Sequence, residues 1–225
     1  MDRVKFLFLA VIFIALAGFG RKDPSLEWVQ RVNKKDKSFT STWEYLFLPP
    51  GGREESVEAI IHLKIEKEKF YLKAEKRRNK EEEWIYDGRT LWKISKEDKL
   101  IFFSPLKRLS TIPFWEIPLS MKPFGKPFLA GEGEIEGRKV IVLKIRGVYE
   151  KAEVSLTYWI EKANNILLRK EHVIGPQDDP LWKETYRIKK LNFVTSFSPG
   201  TFSLPPLPPG YVKVKKLFLD SQFLD

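Results

Sequence analysis

The chain has 225 residues, no cysteine, and 40 Lys and Arg against 30 Asp and Glu, for a formal net charge of +10. Charged residues are 31% of the chain and apolar residues 43%, which excludes a wholly disordered protein and gives enough length for one substantial core or two small ones. The lack of cysteine excludes a disulfide framework, a thiolate metal site and a lipid-modified terminus, so stability has to come from burial.

Residues 1–20 read as a targeting segment. Arg3 and Lys5 precede an apolar run over 6–16 of signal-peptide length, and Ala15-Leu16-Ala17 supplies a small-x-small cleavage pattern. The expectation is a cleaved signal peptide followed by a single periplasmic domain over 21–225. The alternative is an N-terminal membrane anchor, for which the run is short against the roughly 20 apolar residues of a span. Removing residues 1–20 leaves a charge of about +9. For an exported protein this favours an anionic membrane surface or an acidic partner over nucleic acid.

Asp23-Pro24-Ser25 is a helix-start signal, and Leu26, Val29 and Val32 share one helical stripe, so an amphipathic helix is predicted over 24–33. Period-two alternation follows. Phe39, Trp43, Tyr45 and Phe47 face one way; Val57, Ala59, Ile61, Leu63 and Ile65 form the next apolar face; Phe70, Leu72 and Ala74 the third. One apolar face per strand is the pattern of an antiparallel sheet covered on one side. Residues 84–103 then predict a three-strand meander, turned first at Asp87-Gly88 and again over 95–99. Residues 104–128 break the pattern with five prolines, yet carry Phe114, Trp115, Ile117, Leu119, Met121, Phe124 and Phe128. So apolar a segment should fold back over the sheet, either as a fixed core cap or as a mobile lid. Further strands are predicted through residue 194, with a turn at Asn164-Asn165, and a Pro-rich tail precedes a last short strand. The predicted class is mainly β with a few helices: a curved antiparallel sheet of ten or eleven strands, a half-barrel covering helices and a loop lid.

The chemistry points to binding rather than catalysis. There is no Cys, and His62 and His172 lie in separate strands. No nucleophile elbow and no Gly-rich phosphate loop occurs, and most carboxylates neighbour lysines as on a salt-bridged surface. The expectation is therefore a non-enzyme without metal or cofactor. Seven Trp and seventeen Phe would make the concave face greasy, and each buried methylene of an acyl chain is worth about 0.8 kcal/mol.

Tyr86-Asp87-Gly88-Arg89-Thr90-Leu91-Trp92 resembles the DG-x-T-LW hairpin of the LolA-like periplasmic lipoprotein carriers, a group whose fold is shared by the RseB N-terminal domain. Thr201-Phe202-Ser203-Leu204 with Pro208-Pro209-Gly210-Tyr211 is similar to the family's ending. Lys93-Ile94-Ser95-Lys96 departs from it, where the family continues with an aromatic and an Asp-Pro turn. The resemblance implies a hydrophobic cavity for the acyl groups of a lipoprotein or lipid, in a monomer that serves envelope lipoprotein sorting. An RseB-like sensor or scaffold with a membrane-protein partner is the alternative. Asp87 and Gly88 are expected to set the hairpin. Trp43, Tyr45, Phe70, Trp92, Phe102, Phe114, Trp115, Met121 and Phe124 are expected to line or cover the cavity.

Overall fold

The computed structural model describes residues 23–77, 80–106, 114–119, 124–177 and 179–215. The expected signal segment and Met121 lie outside the described residues.

Helix α1 spans Pro24–Val32. Asp23 caps it by accepting a 2.9 Å hydrogen bond from the Ser25 amide, and Pro24 sits where no intrahelical donor is needed. Val29 and Val32 are buried. The helix stops at Asn33.

Twelve strands follow: β1 Ser38–Leu48, β2 Ser56–Glu66, β3 Lys69–Lys76, β4 Lys80–Tyr86, β5 Thr90–Ser95, β6 Leu100–Pro105, β7 Phe128–Ile135, β8 Arg138–Tyr149, β9 Ala152–Glu161, β10 Ile166–Ile174, β11 Trp182–Phe193 and β12 Val212–Lys215. They form one sheet in the order β12-β6-β5-β4-β3-β2-β1-β11-β10-β9-β8-β7. Two meanders, β1–β6 and β7–β11, join where β1 pairs with β11. The half-barrel expectation holds, with two refinements. There is one helix among the described residues rather than a few. The tail contributes a twelfth strand, β12, which pairs parallel to β6. The sheet is not closed into a barrel, because β7 and β12 end the order.

Register decides which side chains share a face, because successive residues of a strand point to opposite sides. On the inner face, Trp43 pairs with Ile61, Ile61 with Ala74, and Phe70 with Tyr86. Tyr45 pairs with Tyr186, and Lys170 lies between Tyr186 and Tyr158. Helix α1 and residues 114–119 pack on this face, so Val29, Val32, Phe114 and Ile117 join one buried cluster with Trp43, Phe70 and Tyr158. A bulge at Glu58 pairs Val57 with Leu46 instead of leaving it in line with Ala59, so Val57 leaves the apolar face predicted for it and is exposed.

The outer face is partly covered too. After β11 the Pro-rich segment crosses it, with Pro199, Gly200 and Pro206 beside Lys64, Tyr71 and Ile85. Phe202 is buried, and the Phe197 amide donates to Glu66 Oε1 at 3.2 Å. This strap covers Ile85, which is buried on a face that alternation alone would leave wet.

Candidate functional site

The inner face is built around an aromatic train. The Trp43 and Phe114 rings meet edge to face with centroids 5.4 Å apart, and Phe114 stacks on Tyr186 at 5.1 Å. Trp115 stands edge-on to Phe70 at 5.2 Å, and Phe70 lies 5.9 Å from Tyr86. Tyr45 stacks on Tyr186 at 4.8 Å. Edge-to-face and offset arrangements match the positive rim of one ring to the negative face of the next. Phe114 and Trp115 thus plug the concavity instead of leaving it open.

The end of helix α1 holds the plug in place. Asn33 Nδ2 donates to the Ile117 carbonyl at 2.6 Å, and the Ile117 amide donates back to Asn33 Oδ1 at 3.0 Å. The Lys35 ammonium pairs with Glu116. Lys37 Nζ closes the same turn by donating to the carbonyls of Arg31, Val32 and Asn165 at 2.7, 2.6 and 2.9 Å. Burial pulls its pKa down to about 8.

A slot opens beside the plug. Its walls are Phe39, Trp43, Ile65, Phe70 and Leu167, and Trp115 roofs it. Its mouth carries Lys34, Lys35, Lys37, Lys67 and Lys69 against Glu68 and Glu116. The free space within is about 40 Å³, far below the roughly 300–1,000 Å³ of a ligand pocket. A chain of any length therefore enters only if the plug gives way.

A second polar group sits on the inner face. Tyr45 Oη donates to Glu184 Oε1 at 2.9 Å, and His172 Nδ1 lies 3.8 Å from Glu184 Oε2. Burial and the Glu184 charge raise the Tyr45 pKa. Lys170 lies over the Tyr186 ring at 5.6 Å, with its pKa lowered by burial. No group of three His, Cys, Asp or Glu that could hold a metal occurs among the described residues.

The structure brings together Trp43, Tyr45, Phe70, Phe114 and Trp115. Phe124 is placed further along the same face, against Gly147 of β8. Phe102 is on the inner face too, opposite Lys93, but near the β6 end and away from the slot. Trp92 is not with them. It pairs with Ile85 on the outer face, and this corrects its expected place in the cavity. The reason is the turn. Asp87 Oδ1 accepts from the amides of Arg89 and Thr90, both at 2.7 Å, which closes a tight hairpin with Tyr86 opposite Leu91. Leu91 takes the inner position and Trp92 the outer. Asp87 and Gly88 (φ +94°) do form that turn. Sequence reasoning missed Tyr86 and Tyr186. Tyr186 was signalled by the period-two run Trp182, Glu184, Tyr186, Ile188.

No protein-family model matches the chain, and no curated protein matches it by sequence. Solved structures do match. An uncharacterised conserved protein of Thermus thermophilus superposes with a TM-score of 0.56 at 13% identity, over 84% of this chain and 98% of that one. MucB, solved in complex with MucA(peri), gives 0.48 at 14% identity over 80% of this chain and 60% of MucB. A LolA-superfamily protein of Nitrosomonas europaea gives 0.39 at 11% identity, over 80% and 96%. At these identities the likeness is one of fold alone, and the Thermus thermophilus protein carries it.

Proposed function

We propose that the inner face binds acyl chains of a lipid or lipoprotein, and that the protein carries them in the cell envelope without catalysing a reaction. The observation that carries this reading is the aromatic plug. Phe114 and Trp115 occupy the space on the inner face that a chain would need, and a single helix end holds them. Replacing plug side chains by a chain exchanges one apolar contact for another. The plug side chains lose burial as the chain gains it, so the net free-energy change is well below the roughly 0.8 kcal/mol per methylene that shielding the chain alone would contribute. A small net difference suits reversible loading and release. The basic surface and the N-terminal apolar run support an envelope setting for this role.

The test is native mass spectrometry of the protein expressed with its first twenty residues into a periplasm, followed by organic extraction. The expected result is co-purified acyl lipid near one per chain. A clean unliganded mass, with no uptake of a fatty-acyl probe, overturns the reading.

A sensor or scaffold role is favoured by a different observation. The β7 end of the sheet is open, and Phe128, Leu129, Val148 and Tyr149 are 42–62% exposed there. An open edge with apolar neighbours suits strand addition by a protein partner. Capture of a membrane protein's periplasmic segment, unaffected by added lipid and lost on deleting those side chains, would replace the carrier reading with this one.

A further inference from the structure

The slot has a charge pattern that an acyl chain alone does not require. Its walls are apolar, but its mouth gathers five lysines and two glutamates from separate stretches of chain. Lys34, Lys35 and Lys37 follow α1, while Lys67 comes from the β2–β3 turn and Lys69 opens β3. Lys67 has φ +56°, and its amide donates to the Lys37 carbonyl at 3.0 Å, so the backbone ties these two lysine groups to each other. Lys34 and Lys35 are paired with Asp36 and Glu116. Lys67 and Lys69 have no carboxylate partner among the described residues. Asn165, from the β9–β10 turn, also lines the mouth, and its buried Oδ1 has no hydrogen-bond partner among the described residues. A buried acceptor left unmatched costs free energy that a ligand hydroxyl would recover.

We propose that the slot takes a single acyl chain ending in a phosphate or carboxylate, with the chain under Trp115 and the anion held by Lys67, Lys69 and Lys35. This inference rests on the acyl-chain reading above and narrows it to anionic amphiphiles. The headgroup also acts on the plug. An anion that draws Lys35 away from Glu116 removes one of the two polar ties described for residues 114–119, and Trp115 sits next to Glu116. Anion binding and slot opening are thereby coupled, and a neutral headgroup lacks the means to open the slot in this way. A hydroxyl next to the headgroup, as on a glycerol, would donate to Asn165 Oδ1.

The experiment compares two probes with the same twelve-carbon chain, lauroyl lysophosphatidate and monolauroylglycerol, on the delipidated full chain, with binding read by tryptophan fluorescence. Lysophosphatidate is expected to bind at least about tenfold more tightly, since charge-assisted hydrogen bonds contribute roughly 1.5–3 kcal/mol. A Lys67→Gln/Lys69→Gln double variant should lose most of that preference, with its affinity for monolauroylglycerol and its urea midpoint unchanged. Equal binding of the two probes by the wild type overturns the headgroup assignment and leaves the acyl-chain reading standing. Binding of neither overturns both. A double variant that loses both probes alike shows that the lysines shape the slot rather than read the headgroup, and this also overturns the assignment. So does inorganic phosphate that binds as tightly as lysophosphatidate, since the slot would then be a free-anion site.

Discussion

Asn33 and Ile117, 84 positions apart, exchange a pair of hydrogen bonds: the Asn33 amide donates to the Ile117 carbonyl at 2.6 Å and accepts from the Ile117 amide at 3.0 Å. The side chain that ends helix α1 thus completes the backbone pairing of a segment that belongs to no strand. Asn33→Ala should cost about 1–3 kcal/mol, because it leaves a partly buried amide and carbonyl of Ile117 unmatched. It should also speed uptake of a fluorescent fatty-acyl probe, measured by stopped flow. Slower or unchanged uptake would show that the plug does not limit entry.

Phe114 and Trp115 are neighbours with different expected roles. Phe114 is buried between Trp43 and Tyr186, so Phe114→Ala should cost about 3–5 kcal/mol in urea unfolding. Trp115 is half-buried at the slot. Trp115→Ala should cost about 1–2 kcal/mol, as only part of its apolar surface is lost to water, yet it should change probe affinity more than Phe114→Ala does. If both variants lose stability and affinity in parallel, residues 114–119 are core and not a lid.

Gly147 lets Phe124 lie against β8. A Cβ there would come within 2.5 Å of Phe124 Cδ1 and 2.8 Å of Phe124 Cα. Backbone as well as ring would have to move, so Gly147→Ala should destabilise by about 1–3 kcal/mol. Gly133→Ala on β7, where the nearest atom would be 3.8 Å away, is the control and should change little.

Stability should rise and then fall on the alkaline side. Burial pulls Lys37 down to about 8 from 10.5, so between those values the folded chain holds one proton fewer than the unfolded chain, and stability rises with pH. Lys170 is lowered by burial in the same sense. Tyr71 has the opposite sign. Burial and Glu83 push its phenol up to about 12, so its contribution is complete below pH 10 and is lost as pH climbs toward 12. Tyr45, Tyr86 and Tyr158 are raised by burial and act with it. Lys73 and Lys96, raised by their bonds to glutamates, add to the loss above 10.5. Urea midpoints measured from pH 7 to 12 should therefore pass through a maximum near pH 10. Lys37→Met should flatten the rising limb, and Tyr71→Phe should reduce the fall.

The elements themselves were legible in the sequence, because each carries its own local cause. Asp23-Pro24 starts the helix, Asp87-Gly88 makes a turn, and period-two apolar runs mark strands whose one side is dry. The curved antiparallel sheet was legible for the same reason, since successive hairpins leave few other ways to bury so many single apolar faces. The inner positions of Trp43, Tyr45 and Phe70 followed directly from alternation. Tertiary structure decided whatever depends on a partner distant in sequence. The pairing of Tyr86 with Leu91 sent Trp92 outward, and the bulge at Glu58 turned Val57 over, since a shift of one residue exchanges the two faces. The Pro-rich strap dried an outer face that alternation reads as wet. The clamp of Asn33 on Ile117 and the ring of lysines around the slot also appear only once residues from α1, the β2–β3 turn and the plug are packed together. No local pattern encodes them, because their free energy comes from contacts between segments that the sequence keeps far apart.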